Sequence, residues 1–517
     1  MSQASEFLLE IGAFDGAGTR TLRVSSCGYV TGPTDNPPNT IYPNHVNDPG
    51  YFARSLFEDG RTMGMSRADY GAIELTNAAG RLDNWLDYGF DGRPVVIKRI
   101  AGPQASFSTA ETILRGTVEG LDGSSALTTL RLRLYDRRLE LERALQTNRY
   151  SGATTSGGLV GNLVNGTADM KDQPKPLVYG RALVVKPILV NPFDLIYQVN
   201  DGAVAAIVAY EGGVTLTNRG DHATAAALQA AVLRPGQYAT CLALGLFRIG
   251  FTPFYGITAD VTEGATLALR STGAVVQRML SRLGLTGSDN INAATFAALQ
   301  TVAPQEVGIY ITDERSALDA IGAVLQSIGG YLVPNALGAF EVGRMAAPGT
   351  PTWTVDENII LADDLTLFSN PDTQRNLPAW RVVVRHTRIW ELQDAERVGQ
   401  FLSDDRKGYL ATEYREAKAD NAAVLVRHPL APELVIETLL VNAADAAAES
   451  ARRLALYGTR RDVIVIPVAR ENASAMLLGS TGTVRFVRYG YDIGKPMVVI
   501  GRKEDPANET VDLTVWG

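Results

Sequence analysis

The chain has 517 residues, of which 45% are apolar and 20% charged, and its formal net charge is −8. That is too long for one hydrophobic core and ordinary in composition for a globular protein, so three or four folding units of roughly 150 residues are expected. The acidic balance excludes a general nucleic-acid binder, which needs a basic footprint. The opening "MSQASEFLLEIGAFDG" lacks the basic start and apolar centre of a secretory signal, and no apolar run reaches the roughly 18 residues of a membrane span.

Residues 1–150 read as a β-barrel or β-sandwich. "EFLLEIGAF", "TLRVSSCGYVT", "RPVVIKRI", "ETILRGTVEGL" and "LTTLRLRLYDR" are short apolar-alternating runs divided by Gly, Asp and Asn turns. In the last of them Leu130, Leu132 and Leu134 point one way, and Arg131, Arg133 and Tyr135 the other. Three readings of that arginine face stand: a solvated face laced with ion pairs, an inter-subunit salt-bridge surface, or a DNA grip diluted by Asp136, Glu140 and Glu142. Residues 151–265 begin with the flexible "SGATTSGG" and the extended, proline-rich "KDQPKPLVYGR". They continue as short strands among Gly and Pro, which suggests an inserted, loop-rich β module.

Residues 266–349 switch to helical spacing and predict a small α+β module. Val275, Val276, Met279, Leu280 and Leu283 share one face and Gly284 follows as a stop, while Leu318, Ile321, Leu325 and Ile328 form a second stripe. "YLVPNALGAFEVGRM" then reads as a hairpin. Residues 350–517 return to β as a second barrel, with "AWRVVVRHTRIWE" as a long strand. An alanine-rich helix spans 442–457, with Asn442 as N-cap and Gly458 as its end. The chain closes on "VDLTVWG", expected to be the barrel's closing strand. Val511, Leu513 and Val515 face the core; Trp516 lies against a neighbouring subunit, against the helix with its Ala447, Ala448, Ala451, Leu454 and Ala455 side, or as a cap on its own barrel.

No catalytic constellation emerges. His45, His222, His386 and His428 are dispersed without ligand spacing, and there is no H-E-x-x-H, no G-x-S-x-G elbow and no phosphate-binding loop. Asp363–Asp364 and Asp404–Asp405 are adjacent pairs whose members diverge on an extended chain, which suits turns or helix starts better than a two-carboxylate site. Cys27 and Cys241 lie far apart and read as two buried free thiols, with a single disulfide as the alternative, and neither a metal nor a cofactor is expected.

The C-terminal run "AADAAAESARRLALYGTRR" followed by "LLGSTGTVRFVRYGYDIGKPMVVIGRKEDPANETVDLTVWG" resembles the last barrel of phage tail-tip (baseplate) hub proteins of long non-contractile-tailed, siphovirus-like phages and related prophages. "GGYLVPNALGAFEV" is similar to the small α+β domain between the hub barrels. "EDGRTMGMSRADYGAIELTNAAGRLDNWLDYGFDGRPVVIKR" and "QPKPLVYGR" are similar to N-terminal segments of such proteins. The resemblance implies a non-enzymatic virion protein, a homotrimer with two tail-tube-like barrels per chain. Its implied partners are a distal tail ring protein, the tail tube and central tip or fibre proteins, and phage DNA would pass through the lumen without specific binding. It also implies assembly in the bacterial host cytoplasm. Trp516, Ala447, Ala451, Leu454, Arg131 and Arg133 are the candidate subunit-interface residues. A tail-associated cell-wall or polysaccharide hydrolase, and another ring or receptor-binding component of the tail, are the alternatives.

Overall fold

The computed structural model describes residues 5–123, 128–156, 163–361, 365, 367–368, 372, 377–394 and 398–517. With 38% of residues in strands and 19% in helices, the chain is mainly β with α+β modules.

Seven strands build the first sheet, in the order Thr19–Ser25, Glu6–Phe14, Pro94–Ile100, Glu111–Gly123, Thr129–Tyr135, Ile73–Thr76 and Val46–Asp48. The period-2 pattern puts Leu9, Ile11, Val95, Ile97, Leu130 and Leu132 into one core. Val24 and Val46, from strands at opposite ends of the order, share that core, so the sheet is rolled around it. Register shifts between Thr112 and Leu114 and between Val118 and Gly120 supply local bending.

A second rolled sheet runs Trp353–Val355, Thr481–Val484, Lys495–Asp505, Thr510–Trp516, Val463–Ala469 and Leu367–Phe368. Val511, Leu513 and Val515 are fully buried in its core. The terminal strand is not the closing strand: it lies inside the sheet, hydrogen-bonded to Val463–Ala469 on one side and Lys495–Asp505 on the other. Among the described residues neither rolled sheet closes on itself.

Hydrogen bonding crosses the boundaries expected from composition. The hairpin Phe52–Ser55 and Arg67–Tyr70, far up the chain, joins the second sheet by pairing Arg54 with Arg502 and Ser55 with Gly501. Leu177–Val185 pairs with Ala182 opposite Val261 inside the 151–265 segment, and with Gly180 opposite Gly308 in the next segment. The other strands of 151–265 either join the Leu177–Val185 sheet or form a second one; the two sheets share a core around Phe247 and Val261, and the second has a further core around Cys241 and Leu246.

The middle module contains the expected helices as Thr272–Arg282 and Ala317–Gln326, and the hairpin as Gly330–Pro334 with Phe340–Arg344. Gly284 follows the first helix with φ +83°, a conformation that suits glycine. A further helix, Ala293–Val302, has the sequence AATFAALQTV. The expected long strand after Trp380 is six residues, Arg381–His386, and ends at Thr387 with φ +51°. It is the centre of a three-stranded sheet with Arg415–Asp420 and Glu433–Glu437. The helix Ala443–Tyr457 covers that sheet's apolar face, where Val382, Val384, Ile436 and Ala446 share a core.

Candidate assembly surfaces

The described residues contain no group of three or more His, Cys, Asp or Glu side chains that could hold a metal ion. His386 is buried and bonded to the Thr387 hydroxyl at 2.7 Å. Burial, reinforced by the Arg415 charge, holds its pKa below the usual histidine range, as suits a neutral structural imidazole. Asp404 and Asp405 open a helix whose N-cap is Ser403; Asp363 and Asp364 lie outside the described residues. Cys27 is half-buried, Cys241 is buried, and both thiols are free. A cavity of about 670 Å³ opens between the 151–265 segment and residues 391–393, walled by Lys186, Tyr197, Phe254, Tyr255 and Gln393; Glu391 is its one acid among the described residues. A lone carboxylate does not make the acid–base pair a glycosidase needs.

The interface candidates separate into three cases. Trp516 is fully buried within its own chain, among Leu56, Phe57, Leu456, Tyr457, Val463 and Val498. The outer face of the second sheet is covered at this point by the end of the helix and by the segment after the Phe52–Ser55 strand, so the indole has no surface left for another subunit. The Arg461 guanidinium stands 4.9 Å from the ring. The helix buries Ala446, Glu449, Ser450 and Arg453 instead of the alanine side; Ala447, Ala448, Ala451 and Ala455 are exposed and Leu454 is half-buried. Arg131 and Arg133 point outward and are paired within the chain, Arg131 with Glu74 at 3.0 Å and Arg133 with Asp122 at 2.6 Å. These pairs make the solvated, ion-paired face, and with each arginine more than half exposed they contribute little stability.

Sequence reading missed a pair of related loops. "LDYGFDGRP", residues 86–94, leads into the Pro94–Ile100 strand; "VRYGYDIGKP", residues 487–496, leads into Lys495–Asp505. Each of these strands is second in a run of four antiparallel neighbours at the centre of its rolled sheet. Each sends alternate residues inward, Val95 and Ile97 in one, Met497 and Val499 in the other. Each loop has an aromatic anchor at the same place: Phe90 lies beside Trp85 and Tyr88, and Tyr491 stacks on Phe486 at 4.4 Å. Each is tied by a basic residue at its base, Arg93 donating to the Gly89 carbonyl at 2.9 Å and Lys495 to Asp462 at 2.7 Å. The outer strands differ: Thr19–Ser25 pairs antiparallel with its neighbour, Trp353–Val355 parallel. The repeated Tyr-Gly-aromatic-Asp was the available signal, obscured by a one-residue insertion at Ile493.

No protein-family model matches the chain, and no curated protein matches it. Among solved structures, it is similar to the 43 kDa tail protein of prophage MuSo2 from Shewanella oneidensis, with 10% identity and a TM-score of 0.41 over 99% of this chain and 96% of that one. It is similar to the tail protein from Neisseria meningitidis MC58, at 10% identity and TM-score 0.38 over 99% and 97%. A chain from the virion of a native gene transfer agent particle gives 11% identity and TM-score 0.42 over 74% and 92%. These TM-scores all lie below 0.5, so the likeness is loose and carries no assignment of role.

Proposed function

We propose that the chain is a structural virion protein, the trimeric hub of a tail tip, linking a six-fold tube or distal ring to a three-fold tip. The observation that carries this reading is the internal pair of rolled sheets, with four matching central strands and a related loop on each. A chain carrying two similar units can present six similar surfaces from three copies, which is what a symmetry mismatch between six-fold and three-fold neighbours requires. The hub-like sequence runs fall in both sheets and in the module between them. In such a ring the two sheets form the wall, and the net charge of −8 keeps the lumen from holding DNA phosphates. The segment 151–265 faces outward toward other tip proteins.

Copy number tests the reading. Quantitative mass spectrometry and reconstruction of intact particles should find three copies in one ring, with residues 6–135 and 463–516 toward the channel. Six copies, or a channel lined by residues 186–262, would overturn it.

A further inference from the structure

The cavity of about 670 Å³ beside residues 391–393 has a rigid aromatic mouth. Phe254 is 87% exposed, yet the turn that carries it is fixed. The Phe254 and Tyr255 amides both donate to the Glu211 carboxylate, at 2.6 and 3.2 Å, and the Gly212 amide donates to the Gly256 carbonyl at 3.0 Å. The Phe254 ring stands edge-to-face with Tyr255, their centroids 4.9 Å apart. Tyr197 is held in the wall by stacking on Phe247 at 5.2 Å. An ordered ring left in water at the lip of a cavity contributes nothing to the core, and its position suits a binding platform.

The polar groups of the cavity define what fits it. Among the described residues Lys186 is its one cation and Glu391 its one anion, and neither has an ion-pair partner. On the same wall the buried Gln393 amide donates to the buried Thr258 hydroxyl at 3.0 Å. Balanced charge disfavours a phosphate or other anion, and an alkyl chain would strip water from both charges without replacing it. An added peptide strand needs free main-chain donors, but the amides of Phe254 and Tyr255 are bonded to Glu211, that of Glu391 to the Val184 carbonyl at 2.8 Å and that of Gln393 to the Leu410 carbonyl at 3.0 Å. Recognition is left to side chains: ring faces, a donor-only ammonium and an acceptor-only carboxylate. A ligand that satisfies all three has one apolar face and groups along its edge that both donate and accept, which describes hydroxyls on a saturated ring.

We infer that this cavity binds a neutral saccharide, one pyranose ring lying with its C–H face on Phe254 and its hydroxyls toward Lys186 and Glu391. The sugar is bound and not cleaved, because the lone carboxylate has no second acid to work with. The inference goes beyond the hub reading and does not depend on it: it gives the inserted segment a ligand of its own.

The test is saturation-transfer NMR on the full chain, with glucose, galactose, N-acetylglucosamine and their dimers as probes. Transfer to the ring C–H protons of at least one probe is expected, with a Kd of about a millimolar or below. Phe254→Ala should weaken that binding about tenfold or more and Phe254→Trp should keep it, while the melting temperature stays unchanged in both because the ring is exposed. Added salt should leave the affinity unchanged, since the ligand carries no charge. No transfer to any probe would overturn the inference. So would binding that survives Phe254→Ala, which puts the sugar elsewhere, or binding that falls steeply with salt, which makes the ligand an ion. Cyclohexanol held as tightly as the sugars would overturn it as well, since the hydroxyls would then go unread. Each of these outcomes leaves the copy number in particles, and with it the hub reading, untouched.

Discussion

At the scale of single residues the C-terminal region is held by two buried side chains with opposite requirements. Trp516 stabilises by its buried area and the Arg461 guanidinium over its ring; its indole N–H finds no acceptor among the described residues. Trp516→Ala should therefore cost about 3–5 kcal/mol, read as a large fall in denaturant midpoint of the isolated chain. Trp516→Phe should cost far less, because it removes the orphaned donor along with part of the ring. An Ala variant with unchanged stability would contradict the burial. Glu449 is the reverse case, a buried carboxylate that stabilises only while charged. It accepts from Arg452 at 2.7 Å and Arg453 at 2.6 Å. Those two guanidiniums also donate to carbonyls at the end of the Ala317–Gln326 helix and just beyond it, Arg453 to Gln326 and Arg452 to Ile328 at 2.8 Å. Burial alone would raise the Glu449 pKa, but the hydrogen bond from Arg452 and the charges of both arginines outweigh it and hold the value below the ordinary one. A depressed carboxyl gives its full contribution above the unfolded value, about 4.3, and loses it as pH falls through the folded value. The wild type should thus lose stability on acidification below that range. Glu449→Gln should cost about 3–5 kcal/mol near neutral pH and flatten that dependence in acid titrations followed by denaturation.

At the scale of elements, the junction between the inserted segment and the middle module rests on a glycine pair. Gly180 lies opposite Gly308, with φ +74° at the first. A Cβ on Gly308 would stand 1.7 Å from the Arg181 carbonyl oxygen, and one on Gly180 1.9 Å from that of Val307. Gly308→Ala should cost roughly 1–3 kcal/mol or more and speed protease cleavage between the modules. Excising 151–265 should unfold the middle module, because Leu177 and Tyr179 belong to its core. The same elements show what was legible in the sequence. Helices with a clear apolar stripe, such as Thr272–Arg282, announced themselves, as did the hairpin at 330–344. Ala293–Val302 did not, because AATFAALQTV has no polar face to set a period. Trp516 was misplaced for a related reason. Alternation with Asp512 and Thr514 marks the strand's second face as polar, but that face is covered at its end by Leu456, Tyr457 and Phe57, and no local pattern announces a cover from so far away. Of the interface candidates, the arginines of Thr129–Tyr135 were readable as an ion-paired face, but the partner of Arg131 was not, since Glu74 comes from another strand of the sheet.

At the scale of the whole molecule, the segments read as consecutive units are stitched together by strands and cores shared across hundreds of residues. The core around Val276 and Ile321 takes in Leu141, Leu177, Val384 and Ala446, so the middle module is a hub within the chain on which the other parts converge. Each rolled sheet has a run of four antiparallel strands at its centre, but the strands are threaded in different order, so the sequence likeness shows in one loop and not along a run of strands. The hairpin that hands Phe52–Ser55 to the Lys495–Asp505 strand has a bearing on biogenesis. Its partner lies roughly 450 residues downstream, so at 5–20 residues per second a ribosome needs roughly 20–90 s to deliver it. During that interval the nascent chain carries an open strand edge, with Leu56 and Phe57 lacking the cover they have in the finished protein. A chaperone that holds the early hairpin until Lys495–Asp505 is made would protect the nascent chain from premature aggregation.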